Sequence, residues 1–340
     1  MIQYVMRPSR LSDLDDLMEL AELSGTGFTS LPVDERRMNE RLTNSDRAFT
    51  EAVPEHDSGR YLMMMEHVPT GNVAGCSAVK AGVGIHEPFF NYRIITVAQA
   101  SQAADKRHDM DVLVLTNEFV GYTEVGTLFV RAEHRGGGVG RLAGQSRYLL
   151  MASDETKFGD NVLAELRGIV DDEGRTPFWD CLGRHFFRMQ FEEADYLSAV
   201  TDNQFILDLM PKYPVYIDLL PDRAIEVIGQ CHPDGVGAMK LLEWEGFRYE
   251  RTVDIFDGGP MMAAARENIR TIRESREVRV ELGSDGTPVS GLISNDRLGD
   301  FRCAMLDGHL RGDDVIALST ESLDVLRLNA GDTARVWVRK

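Results

Sequence analysis

Between Val125 and Leu150 the chain reads VGTLFVRAEHRGGGVGRLAGQSRYLL. The apolar, β-strand-like run VGTLFV passes through Arg131 into a glycine cluster, and the cluster opens into a helix-like segment. No other stretch constrains the fold as tightly. The first turn of a helix leaves its N–H groups unpaired and carries about half a positive charge. Glycines remove the Cβ atoms that would hold an anion away, so a diphosphate can rest directly on the backbone. The amides of residues 136–142 are therefore the candidate cradle, and Arg135 can add a charge-assisted contact from its rim. A tight left-handed turn without a ligand is the alternative that the glycines alone leave open.

The rest of the composition narrows the partners. With 340 residues the chain has room for two domains, or one with additions. A net charge of −18 with no compensating basic block argues against a nucleic-acid partner. The acidity would suit a cationic small substrate, although an ordinary acidic surface explains the same number. Cys76, Cys181, Cys231 and Cys303 are far apart and form no C-x-x-C pair, as expected of reduced thiols. The opening MIQYVMRPSR has no apolar signal region, and no run approaches the ~18 apolar residues of a membrane span. A cytoplasmic location is expected, with neither a membrane nor a metal involved.

Periodicity sketches an α+β chain. IQYVMR reads as a strand, followed by a helix with Ser12 as N-cap and Leu14, Leu17, Met18 and Ala21 on one face. A polar helix is expected near 34–44. Two strands meet at the turn Pro69-Thr70-Gly71-Asn72, and further strands start near residues 91 and 111. After the glycine junction, NVLAELRGIV reads as a buried strand and TPFWDCLGRHFF as one short helix. A weaker strand–helix–helix echo begins near 214, where Trp244-Glu245-Gly246-Phe247 parallels Trp179-x-x-Leu182-Gly183. From Arg276 onward short alternating segments punctuated by Gly and Asp predict a small β-rich region.

The glycine junction contains no G-x-x-x-x-G-K-[ST], which excludes a P-loop. Gly138-x-Gly140-x-x-Ala143 does match a dinucleotide fingerprint. However, Arg131 to Gly137 intervene after the strand, and the acids Asp171 and Asp172 lie ~30 residues on rather than ~20. A nicotinamide dehydrogenase is thus the weaker enzyme reading. Arg135-x-x-Gly138-x-Gly140 more closely resembles the R/Q-x-x-G-x-G/A signature of the GNAT acyltransferase superfamily, which binds the diphosphate of an acyl-coenzyme A. That resemblance implies a mixed, mostly antiparallel sheet flanked by helices. It also implies that the signature strand splays from its neighbour at a bulge, so that pantetheine can pair with Gly126, Thr127, Leu128 and Phe129 almost as an added strand. Gly136, Gly137, Gly138, Gly140 and Arg135 then hold the diphosphate.

Longer phrases carry a closer resemblance. TSLP (Thr29 to Pro32), FNYR (Phe90 to Arg93), AELRG (Ala164 to Gly168), PFW (Pro177 to Trp179), LMPKYP (Leu209 to Pro214), VIGQCHP (Val227 to Pro233), EGFRY (Glu245 to Tyr249) and DIFDGGP (Asp254 to Pro260) look like the arginine N-succinyltransferase family, in family order. The resemblance implies transfer of succinyl from succinyl-CoA to the α-amino group of L-arginine in arginine catabolism, with L-ornithine as a second acceptor. It places the family's catalytic proton donor on His232. A histidine titrating near neutrality suits proton transfer around an amine and a thiolate. Cys231 beside it raises a covalent acyl-enzyme route, which the family motif does not require. His134 reads as a solvated loop residue.

Arg93 and Arg167, each within a family phrase, are candidates for the succinyl carboxylate, with structural ion pairs as the alternative. Asp254 and Asp257 of the DGGP turn are candidates for the substrate guanidinium, with an ordinary Asx/Gly turn as the alternative. The loop from Gly25 to Ser30 is a candidate lid. The expected organisation is an acyl-CoA-binding GNAT-like domain at 1–195, a second GNAT-like half with the catalytic histidine at 196–275, and the β-rich region at 276–340. Assembly as a homo-oligomer or with a paralogous subunit is expected. Other amine acceptors, or a non-catalytic paralogous subunit with the same fold, are the alternatives.

Overall fold

The computed structural model describes residues 2–25, 30–51, 59–171, 173–201 and 203–339. Thr29, the interior of the candidate lid and Asp172 lie outside these residues. The chain opens with β1 (Tyr4–Pro8), α1 (Leu14–Ser24) and α2 (Glu35–Thr50). Strands β2 (Arg60–His67) and β3 (Val73–Lys80) form the expected hairpin, and a second, long one joins β4 (Asn91–Ser101) to β5 (Lys106–Thr116). Next come β6 (Thr123–Val130), α3 (Val139–Ser153) and β7 (Asn161–Glu165). Short helices α4 (Pro177–Cys181), α5 (Gly183–Phe187), α6 (Phe191–Val200) and α7 (Gln204–Leu209) lead to β8 (Val215–Tyr216), α8 (Asp222–Ile225) and α9 (Val236–Glu245). The strands β9 (Arg248–Asp254) and β10 (Pro260–Ala265) and the helix α10 (Arg270–Glu274) complete this part.

Ten strands lie in the order β1-β2-β3-β6-β7-β10-β9-β4-β5-β8. All neighbours in this row are antiparallel except β6 and β7. The mixed sheet agrees with the expected α+β class. Helix α3 packs against it with Leu142, Ala143, Leu149 and Leu150 buried, in one core with Met63, Val125 and Val162. A second core gathers Tyr92 and Leu113 of the long hairpin with Phe178, Trp179 and Val253. Residues 196–275 thus add β8, β9 and β10 to the same sheet, and position 195 falls inside α6.

The C-terminal part is β11 (Arg276–Leu282), β12 (Thr287–Ser294), β13 (Cys303–Arg311), β14 (Val315–Leu318), α11 (Thr320–Leu326) and β15 (Thr333–Val338). Strand β12 pairs with both β15 and β13, so the five strands close into a small barrel around Val280, Ile293, Leu306 and Ile316. Closure removes the open edges that a small sheet would leave. The barrel meets the main sheet where Cys303 of β13 stands opposite Met6 of β1.

Two local expectations change. Ser12 does not cap α1. Asp13 does the work at this corner: its carboxylate accepts the Arg10 N–H at 2.7 Å and forms a buried bidentate pair with Arg7. A fixed charge-assisted pair outcompetes a hydroxyl cap. The segment TPFWDCLGRHFF forms two helices with a break at Leu182, whose φ/ψ of −127°/−74° leaves the helical region. A Cβ on Gly183 would lie 2.2 Å from the ring of Trp179, which is fully buried. Gly183→Ala should therefore destabilise the fold by about 1–3 kcal/mol through overpacking, seen as a lower denaturant midpoint at unchanged slope.

Candidate active site

Strands β6 and β7 run parallel through only two registered pairs, Thr123 with Val162 and Glu124 with Leu163. Beyond them β7 stays on β10, while β6 stays on β3 and parts from β7. On the β3 side, Cys76 pairs with Phe129 and Ala78 with Gly126, so Ser77 alone stands opposite Thr127 and Leu128. This bulge holds Thr127 at φ +51°, a left-handed conformation. The splay and bulge lie at the residues expected to meet pantetheine. Arg147 of α3 reaches the Gly126 carbonyl from beneath at 3.4 Å.

At the far end of β6, Gly136, Gly137 and Gly138 take φ of +107°, +56° and +93°, and Gly138 is the N-cap of α3. Nothing lies within 4 Å of a Cβ built on any of them or on Gly140. Among the described residues, none of these four amides donates to another backbone group. The loop is therefore an open concave row of donors, tethered from outside. The Arg135 Nε donates to the Val130 carbonyl at 2.9 Å, and its guanidinium lies over the Phe129 ring. His134 is not a solvated loop residue: it bonds the Tyr4 hydroxyl through Nδ1 at 3.0 Å and packs against His67. A cleft of about 660 Å³ spreads from the glycines to Met305, Asp307 and His309 of the barrel.

The outlet of β7 collects most of the other candidates. The His232 N–H donates to the Arg167 carbonyl at 2.8 Å, fixing the histidine against this segment. Its Nδ1 accepts the Asp234 N–H at 3.2 Å, so the neutral ring carries its proton on Nε2. Burial first, and then the charge of Arg167, pushes the imidazole below its ordinary range, with Asp234 opposing. Arg167 itself has no ion-pair partner among the described residues, and its Nε is buried without a hydrogen bond. Replacing Arg167 with Gln removes a positive charge that disfavours the imidazolium. The His232 midpoint in an NMR titration of its ring proton should therefore rise, and Asp234→Asn should move it the other way. Burial, with Asp257 nearby, pushes the Cys231 thiol up to about 11, which leaves it protonated and ill suited to covalent catalysis.

Asp254 and Asp257 do make the turn that was the alternative for them. The Asp254 Oδ1 accepts the N–H groups of Phe256 and Asp257 at 2.7 and 2.8 Å. Asp257 accepts from Gly168 at 2.6 Å and from Gly259 at 2.8 Å, clasping the DGGP turn to the β7 outlet. Arg93 is likewise engaged, by Thr252 at 3.1 Å and Glu118 at 3.4 Å. Sequence reasoning missed Glu165, at the end of β7. Its side chain meets solvent on one side, while Asp254 and Asp257 crowd it on the other. Desolvation there, followed by the charges of Asp254, Glu124 and Asp257, holds it well above the usual carboxylate range. Its place in the AELRG phrase, two residues before Arg167, was the available signal.

A strand pair that parts beside a glycine-opened helix start suits a thioester carrier laid along one strand, and the fold is that of a GNAT-type acyltransferase. Residues 4–271 match the family model described as arginine N-succinyltransferase beta subunit, and residues 276–337 match that of its C-terminal domain. The chain belongs to the arginine N-succinyltransferase family. It is 39% identical over 337 residues to the arginine N-succinyltransferase of Enterobacter sp. (strain 638), covering 98% of this chain and 96% of that one. The enzyme of the same name from Escherichia coli O6:K15:H31 is 38% identical over equal shares. The structure of the arginine/ornithine succinyltransferase subunit AI from Pseudomonas aeruginosa superposes with a TM-score of 0.91 at 33% identity, covering 99% of both chains.

Proposed function

We propose that the chain transfers the succinyl group of succinyl-CoA to the α-amino group of L-arginine, as an enzyme of arginine catabolism in the cytoplasm. The observation that carries this reading is the single outlet of β7, which brings His232, Arg167 and a carboxylate wall together next to the parted strand. Pantetheine runs along the free side of Gly126 to Phe129, and the diphosphate rests on Gly136, Gly137, Gly138 and Gly140 with Arg135 at the rim. The nucleotide end lies in the cleft toward the barrel, which gives residues 276–340 a part in donor binding.

The acceptor's cationic groups face Glu165, with Asp254 and Asp257 behind it. A carboxylate held above its usual range can take the proton that the α-ammonium must lose before it attacks. Arg167 receives the acceptor's carboxylate. The Nε2–H of His232 is the donor for the sulfur on which charge collects as the tetrahedral intermediate collapses. The part before α6 therefore binds the donor and supplies Glu165 and Arg167 to the acceptor, the part after α6 supplies His232 from the same sheet, and 276–340 closes the nucleotide cleft. No helix among the described residues is long and apolar enough to cross a membrane. The deciding assay follows thiol release from succinyl-CoA with L-arginine, L-ornithine and L-lysine in parallel, then with acetyl-CoA. Thiol release that requires L-arginine is expected; none with any amine would remove the proposal and favour a non-catalytic subunit.

A further inference from the structure

A ternary complex of succinyl-CoA and arginine holds two carboxylates, one on each substrate, and Arg167 accounts for only one. On the α1/α2 side of the signature strand lies a cavity of about 60 Å³ whose walls include Gly126 and Thr127 of the bulge. At ~10–15 Å³ of such space per water-sized group it has room for about four, enough for a carboxylate and the two methylenes that carry it. Three cations also line it: Arg41 of α2, Arg60 at the start of β2, and Lys80 at the end of β3. Leu17 and Leu62 supply apolar wall, which suits two methylenes.

The three cations are not there to balance one another. Arg60 and Lys80 stand opposite each other across the β2–β3 ladder. Neither has an ion-pair or side-chain hydrogen-bond partner among the described residues. Arg41 donates to the Ser30 carbonyl. Glu124 is the one anion in the lining. Burial, and then Arg60, pushes Arg41 down to about 9; burial and then Arg60 also lower Lys80, against Glu124. Gathering like charges in a half-buried cavity is unfavourable unless an anion arrives to be bound.

We infer that this cavity, through Arg41, Arg60 and Lys80, binds the terminal carboxylate of the succinyl group and so selects the acyl donor. The inference rests on the proposed donor, succinyl-CoA. A thioester carbonyl held at the Thr127 bulge has the mouth of the cavity beside it, and the two-methylene arm carries the carboxylate in.

The test compares succinyl-CoA with butyryl-CoA, which has the same four carbons but no terminal carboxylate. Binding of each to the full chain is measured without acceptor, and then kcat/KM is measured with L-arginine. Wild type should favour succinyl-CoA in both. Lys80→Met and, separately, Arg60→Gln should each lower the succinyl-to-butyryl ratio by about tenfold or more, the range of a lost charge-assisted contact, while affinity for CoA itself stays constant and reports an intact fold. An unchanged ratio in both variants overturns the inference. So does a ratio that holds while preference for L-arginine over agmatine, which lacks the α-carboxylate, collapses; the cavity would then serve the acceptor. The binding arm keeps this test independent of the proposed reaction: if wild type releases no thiol with L-arginine, the donor comparison still reads the cavity.

Discussion

His232→Ala should lower turnover by about 100-fold or more while leaving the CoA dissociation constant unchanged. The magnitude is that of removing a positioned proton-transfer group. The separation of effects follows from the architecture. The proposed diphosphate cradle lies between β6 and α3, whereas His232 is tied to the β7 outlet through the Arg167 carbonyl. One structural role must be controlled for. The His232 side chain accepts the Asp234 N–H and so caps a short turn at Pro233–Gly235. Losing a cap costs about 1 kcal/mol, too little to unfold a domain of this size but enough to loosen the loop. His232→Asn restores a cap acceptor without restoring a titratable ring, and it should lose as much turnover as the alanine variant. Thiol release, CoA binding and a thermal midpoint on both proteins check this. Near-wild-type turnover in the asparagine variant would show that the histidine matters only as a cap.

The parts of this chain that were legible in its sequence are those fixed by neighbours in the chain. The run of Gly136 to Gly138 requires φ values that side chains resist, so the junction after VGTLFV is set locally, and its form follows. The same holds for the β2–β3 turn, where Gly71 takes φ +74°. Distant partners decide the rest. Ser12 looked like a cap because nothing nearby shows that Arg7 will claim Asp13 in a buried pair. TPFWDCLGRHFF looked continuous because the demand on Gly183 comes from the Trp179 ring, whose packing against Phe187 and Phe256 is tertiary. The β-rich character from Arg276 was visible as alternation, but barrel closure depends on β12 pairing with β15, more than forty residues on. Glu165 and Lys80 each end a strand, an ordinary place for a charged residue. Only the sheet order brings Glu165 beside Asp254, and only the packing of α2 on the β2–β3 hairpin brings Arg41 to Lys80 and Arg60.

Gly138→Asp should weaken CoA binding by at least ~100-fold and leave the fold intact. The position has φ +93°, which strains any side chain, yet nothing lies within 4 Å of an added Cβ, so strain is the only structural penalty. Strain of this kind is about 1–3 kcal/mol and is shared by any L residue placed there. The carboxylate adds something separate. It would occupy the concavity where the amides converge, a few ångströms from a bound diphosphate. Two like charges 4 Å apart repel by about 4 kcal/mol at an effective dielectric constant near 20, close to a thousandfold in affinity. Gly138→Asn separates the two effects: it has the same shape and backbone strain but no charge, and asparagine tolerates the left-handed region better than most residues. Titrations of CoA into both variants should show the aspartate binding much more weakly than the asparagine. The gap should narrow in high salt, because screening weakens repulsion and leaves strain untouched. Equal affinities for the two variants would mean that no anion approaches Gly138, and the diphosphate would have to be sought elsewhere on the chain.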